Sequence, residues 1–100
     1  MPDPSLAVAI PLFNGGPWIE ETLRSVLAQD VSVREIVVVD DGSTDDGAAK
    51  AAWFDGVRVI PSLRKKRTRH TGLLEVDADL VAFLDQDDVW HPSHLRLLVE

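Results

Sequence analysis

Residues 35–43 read Glu-Ile-Val-Val-Val-Asp-Asp-Gly-Ser. Ile36 to Val39 are all β-branched and apolar, with no polar residue at either parity. That pattern predicts a strand buried on both faces of a parallel sheet. It stops at Asp40-Asp41-Gly42-Ser43, where the glycine can take unusual backbone angles and Ser43 or Thr44 can cap a helix. Asp45 and Asp46 then fall in the first turn of a short helix running through Ala48 to Ala52.

The same grammar extends outward from this stretch. Upstream, Leu6 to Pro11 is an apolar run closed by proline, and Asn14-Gly15-Gly16-Pro17 is a turn with proline where a helix can begin. Ile19, Leu23, Val26 and Leu27 recur at helical spacing, with Glu20, Glu21, Arg24 and Gln29 on other faces. The glutamates at its start suit the helix dipole. Downstream, Val57 to Ile60 form a third strand ended by Pro61, Thr71 to Val76 a helix, Leu80 to Leu84 a fourth strand, and Trp90 to Glu100 a last helix. Strands alternating with helices imply parallel strands joined by right-handed crossovers, hence a layered α/β fold. Trp18, Trp53 and Trp90 read as packing residues.

Composition narrows the class. The 100 residues carry 10 Lys+Arg against 17 Asp+Glu, a formal charge of −7, with 45% apolar and 27% charged residues. This is globular material rather than a disordered segment. Without cysteine there is neither a disulfide framework nor a thiolate metal site. The apolar run from Leu6 to Phe13 is interrupted by Pro11 and falls far below the roughly 18 residues a spanning helix needs. No basic residue precedes it as a signal peptide would require. The expected location is the cytoplasm, or the inner face of its membrane. Net acidity argues against nucleic-acid binding, although Arg64, Lys65, Lys66, Arg67 and Arg69 form a local basic stretch. A solvated loop is the plain reading of that stretch, with Arg69 set apart because it opens a segment leading into a helix.

In an open α/β sheet, loops at the carboxyl ends of strands line the ligand crevice. Asp40 and Asp41 leave the second strand, and Asp85, Asp87 and Asp88 leave the fourth, so two acidic loops can face one crevice. On an extended backbone side chains two apart point the same way, so Asp85 and Asp87 in Asp85-Gln86-Asp87-Asp88 can converge on one ligand. Paired carboxylates suit a hard cation such as Mg²⁺ or Mn²⁺, which takes one or two carboxylates and completes its shell with substrate phosphates. A diphosphate-bearing substrate is the economical inference. Asp41 is the expected ligand contact and Asp40 its support. The plainer alternative is that these aspartates only cap a helix or shape a turn. No GxGxxG and no Gly-Lys-Ser/Thr phosphate loop is present, so nucleotide binding would run through base, ribose and a metal-held diphosphate. His91 and His94 lack a third nitrogen or sulfur partner and read as surface histidines.

Taken in order, VAIPLFNGGPWIEETLRSVLAQ (8–29), EIVVVDDGSTD (35–45), VRVI (57–60) and LVAFLDQDDVWHPSHL (80–95) closely resemble the nucleotide-binding half of family 2 glycosyltransferases. The likeness runs from Leu6 to Leu98. It implies the GT-A fold, a Rossmann-like three-layer α/β/α arrangement with a mainly parallel sheet, here apparently truncated. Residues 1–100 would be the N-terminal nucleotide-sugar-binding part of such a domain. The implied function is transfer of a sugar from a nucleotide-sugar donor, a UDP-sugar foremost, to an unknown saccharide, lipid-carrier or protein acceptor. By resemblance, Pro11 and Asp41 flank the donor base, Arg69 lies near the nucleotide, Asp85 contacts ribose or the metal shell, and Asp87 ligates Mn²⁺ or Mg²⁺. The metal would neutralise the departing diphosphate.

Two departures from the family pattern stand out. Thr68-Arg69-His70, preceded by SLRKKR, replaces the Ala-Arg-Asn that family members commonly carry ahead of a glycine. The acceptor site and the carboxylate general base of a GT-A domain are expected beyond residue 100, so this chain alone is expected to transfer sugar weakly or not at all. An exposed sheet edge would then favour a homodimer or a companion chain. Two other readings compete. Phe83 to Val89 also fits the nucleophile motif of haloacid dehalogenase-like phosphatases, with Asp85 and Asp87 as nucleophile and acid/base. A non-catalytic nucleotide-binding remnant is the third.

Overall fold

A computed structural model describes residues 4–62 and 76–99. Four parallel strands, β1 (Leu6–Leu12), β2 (Glu35–Asp40), β3 (Val57–Pro61) and β4 (Leu80–Phe83), form one sheet in the order β3-β2-β1-β4. The helices α1 (Ile19–Leu27) and α2 (Gly47–Ala52) join β1 to β2 and β2 to β3, and α3 (His94–Val99) follows β4. This is the α/β class read from the sequence. The helix expected over Thr71–Val76 lies outside the described residues except for Val76, which is not helical.

The two central strands are buried at both parities, as an all-aliphatic run requires. Leu6, Val8, Ile10, Leu12, Ile36 and Val38 turn to one face and pack with Ile19, Leu23 and Val26 of α1, Ala51 of α2, Leu84 and Leu95 of α3. Ala7, Ala9, Val37 and Val39 are buried on the other. Each fully buried Val, Leu or Ile contributes about 1.5–3 kcal/mol relative to exposure.

The helices differ in detail from their sequence reading. On α1 the inward face is Ile19, Thr22, Leu23, Ser25 and Val26, while Leu27 is 51% exposed at the helix's last residue. Two hydroxyls can be buried there because both are bonded: Thr22 Oγ1 donates to the Gln86 carbonyl at 2.7 Å and Ser25 Oγ to the Thr22 carbonyl at 2.7 Å. Neither Ser43 nor Thr44 caps α2, which starts at Gly47. Their polar groups are spent on the loop after β1, and the Asp45 carboxylate instead accepts the Gly47 N–H at 2.9 Å.

The last helix starts at His94 rather than Trp90. Pro92 biases His91 away from helical angles, and the segment turns first, with the His94 N–H on the His91 carbonyl at 2.9 Å. Gln29 ties this turn to the end of α1 by donating to the His91 carbonyl at 2.8 Å and accepting the Leu95 N–H at 2.9 Å. Arg96 pairs with Asp30 at 2.8 Å alongside. Trp90 does pack on the core and stacks on His94 with centroids 4.6 Å apart, but Trp53 is 88% exposed and Trp18 is also exposed. Trp53 follows a six-residue helix that buries only Gly47 and Ala51, so its ring finds no core to enter.

Candidate functional site

From β1 the chain steps to β2 and β3 on one side, then returns to place β4 on the other side of β1. Neighbouring loops therefore part at the carboxyl end of β1, the point where open α/β sheets bind ligands. A cleft of about 300 Å³ opens there, lined by Pro11, Leu12, Phe13, Asp41, Asp85, Gln86 and Asp87. It gathers four of the residues singled out in the sequence: Pro11, Asp41, Asp85 and Asp87. The fifth, Arg69, lies outside the described residues, as does the rest of the basic stretch.

The β2 side of the cleft is set by a tight turn. Asp41 donates its N–H to the Leu12 carbonyl at 2.8 Å, which locks the first residue beyond β2 to the end of β1. The Asp40 carboxylate is turned back to accept the Ser43 N–H at 3.0 Å, across Gly42 with φ 81°. Glycine adopts that left-handed angle without a Cβ penalty. Asp40 thus shapes the turn, and Asp41 lines the cleft.

The turn is latched to the loop after β1 through Asn14. The Asn14 N–H donates to Ser43 Oγ at 3.0 Å, and its side-chain oxygen accepts the Thr44 and Asp45 N–H groups at 2.8 and 3.3 Å. The Asp45 carboxylate accepts the Gly16 N–H at 2.9 Å, and Lys50 Nζ donates to the Gly16 carbonyl at 3.0 Å. Asp45, whose place in an acidic cluster could suggest a ligand role, is a cross-loop tie.

On the β4 side the backbone is not extended. Asp88 donates its N–H to the Asp85 carbonyl at 3.0 Å, closing a turn with Gln86 and Asp87 at its centre. Asp85 and Asp87 share the cleft because the chain turns, not because a pleat alternates. Both are exposed. Among the described residues no three His, Asp or Glu side chains gather as a metal cage. Two solvent-facing carboxylates on an open cleft nonetheless fit a hard cation that completes its shell with water and phosphate oxygen. Neither histidine lines the cleft: His91 Nδ1 bonds with Ser93 Oγ at 2.9 Å, and His94 stacks on Trp90.

Asn14, Gln86 and Phe13 went unmarked in the sequence. Phe13, 54% exposed beside buried Leu12, offers the cleft an aromatic face. An aromatic two residues past the proline, at the carboxyl end of an apolar strand, was the available signal for it. Asn14 and Gln86 had none beyond neighbouring Gly15 and the two aspartates.

The family described as "Glycosyl transferase family 2" matches residues 7–100. The chain belongs to this family. Among relatives of the family 2 chain, it is 39% identical over 100 residues to the succinoglycan biosynthesis protein ExoW of Rhizobium meliloti, covering 90% of the chain and 31% of ExoW. It superposes on residues 1–349 of Staphylococcus aureus TarS in complex with UDP with a TM-score of 0.84 at 26% identity, covering 94% of the chain and 30% of that TarS chain. The mannosyltransferase PcManGT of Pyrobaculum calidifontis, solved with GDP-Man and Mn²⁺, gives 0.82 at 26% identity, covering 99% of the chain and 32% of PcManGT. The chain thus spans about a third or less of the relatives it matches. The GT-A expectation stands. The phosphatase reading falls with the family match and with chain order, since Asp85-Gln86-Asp87 follows the fourth strand, β4, rather than the first. No helix among the described residues is long and apolar enough to cross a membrane.

Proposed function

We propose that this chain binds the nucleotide-sugar donor of a metal-dependent glycosyltransferase, a UDP-sugar foremost. The observation that carries the reading is the meeting of Asp41 with Asp85 and Asp87 in one cleft at the end of β1. Asp41 and Pro11 flank the base, and the Phe13 ring supplies an apolar face against it. Asp87 holds Mn²⁺ or Mg²⁺, with Asp85 on the ribose or the metal shell, and Arg69 approaches the nucleotide. The bound cation would supply charge neutralisation to the diphosphate as it leaves. The chain's own part is to seat the base at the β1–β2 end and hold the diphosphate at the β4 end. Solved neighbours holding UDP, or GDP-Man with Mn²⁺, support this assignment.

The test is thermal unfolding with millimolar UDP, with and without Mn²⁺. A ligand that prefers the folded state stabilises it by about 2.7 kcal/mol at a hundred times its Kd. The melting temperature is expected to rise with UDP and Mn²⁺ together. No rise with UDP, GDP or their sugar conjugates would remove the donor-binding reading.

A further inference from the structure

We propose that Gln86 is a positioning residue for the cation site, holding the Asp85–Asp87 turn across the gap between β1 and β4. The inference rests on the donor-binding reading above and adds to it the residue that sets the carboxylates in place.

The gap arises from register. β4 pairs with β1 only from Leu6↔Leu80 to Ala9↔Phe83, and the Leu84 N–H on the Ala9 carbonyl at 3.1 Å follows as a further rung. β1 runs on through Ile10, Pro11 and Leu12 beside β2, so its last residues have no β4 partner. The cleft opens where the ladder ends. Beyond it, Gln86 Oε1 accepts the Phe13 N–H at 2.7 Å and Gln86 Nε2 donates to the Phe13 carbonyl at 3.0 Å. One side-chain amide therefore reproduces a two-bond rung that no backbone in β4 can reach.

The rest of the socket is shaped to the amide. The Gln86 main-chain carbonyl accepts Thr22 Oγ1 at 2.7 Å, and Thr22 is 1% exposed on α1. A Cβ on Gly15 would stand 2.6 Å from Gln86 Oε1 and 2.7 Å from Leu12 Cδ1, so a larger residue there would push on the amide and on Leu12. Bonded by side chain to Phe13, just past β1, and by backbone to α1, Gln86 is held from two sides, and its neighbours Asp85 and Asp87 both line the cleft. The clamp fixes the turn before a cation arrives, so less ordering remains for binding to do. Residues that orient metal ligands from behind typically govern affinity by about 10–100-fold.

The experiment measures Mn²⁺ affinity of the UDP-saturated chain from the free-Mn²⁺ paramagnetic resonance signal. Wild type is compared with Gln86→Ala, with Gln86→Met, which fills the socket without its hydrogen bonds, and with Val26→Ala. Val26 is buried on α1 and serves as a destabilised control. The Kd for Mn²⁺ is expected to rise about tenfold or more in both Gln86 variants, while Val26→Ala lowers the melting temperature and leaves that Kd unchanged. Should Gln86→Ala fail to fold, Gln86→Met decides. Wild-type Mn²⁺ affinity in the Gln86 variants, or an equal loss in Val26→Ala, overturns the positioning role alone. A wild-type chain that takes up no Mn²⁺ with UDP overturns the donor reading and the positioning role with it.

Discussion

The Asn14 side-chain oxygen stands 2.8 Å from the Thr44 backbone nitrogen, and Asn14 itself sits at φ 49°. A residue in the left-handed region thus joins the loop leaving β1 to the loop leaving β2, the two that frame Asp41. Asparagine is among the few non-glycine residues that tolerate this angle. Replacing it by alanine removes the acceptor and adds left-handed strain. Asn14→Ala is expected to lower stability by about 1–2 kcal/mol, and Asn14→Gly, which keeps the angle, by less. Urea unfolding of the two variants checks this. Equal losses would mean that strain at Asn14 is immaterial.

Asp87 and Asp41 occupy opposite walls of the cleft and should fail differently. Under the proposed function, Asp87→Ala removes the part of UDP binding that depends on Mn²⁺ and leaves the metal-free part intact. Asp41→Asn is expected to weaken UDP binding about equally with and without Mn²⁺. Isothermal titration in manganese and in chelator separates the two. A metal-free loss in Asp87→Ala, or a purely metal-linked loss in Asp41→Asn, would reverse the assignment of base and cation ends.

Leu23 and Trp53 carry opposite expectations despite their size ranking. Leu23 is wholly buried between α1 and the sheet, so Leu23→Ala is expected to cost about 2–5 kcal/mol. Trp53, exposed beyond α2, should tolerate alanine within about 0.5 kcal/mol. Chemical denaturation of both variants provides the measurement. A large loss at Trp53 would show that the ring is covered in the folded protein.

Much of the frame was legible before any coordinates. Ile36–Val39 and Leu6–Ile10 are short runs apolar at every position, which a strand covered on both faces buries, and the β-branched content of Ile36–Val39 favours that over a buried helix. The acidic residues at strand ends followed from the same register, because sheet topology sends carboxyl-end loops to one crevice. The errors lay where short-range propensity met longer-range bonds. Ser43 and Thr44 look like caps by local sequence, yet their groups bind Asn14 some thirty positions away in the chain. Leu27 fits the helical apolar stripe, but its helix ends before the sheet can cover it.

By itself, then, the amino-acid order determined the strands, the parallel α/β class, and the identity of the carboxylates at the cleft, because aliphatic periodicity and strand ends are local properties of the chain. Only the folded chain decided that Asp85 and Asp87 converge through a turn, that Asp40 faces its own loop, and that Gln86 and Asn14 brace the two walls. Those outcomes depend on which backbone groups a side-chain amide meets across the sheet, and nothing in the neighbouring sequence encodes that meeting.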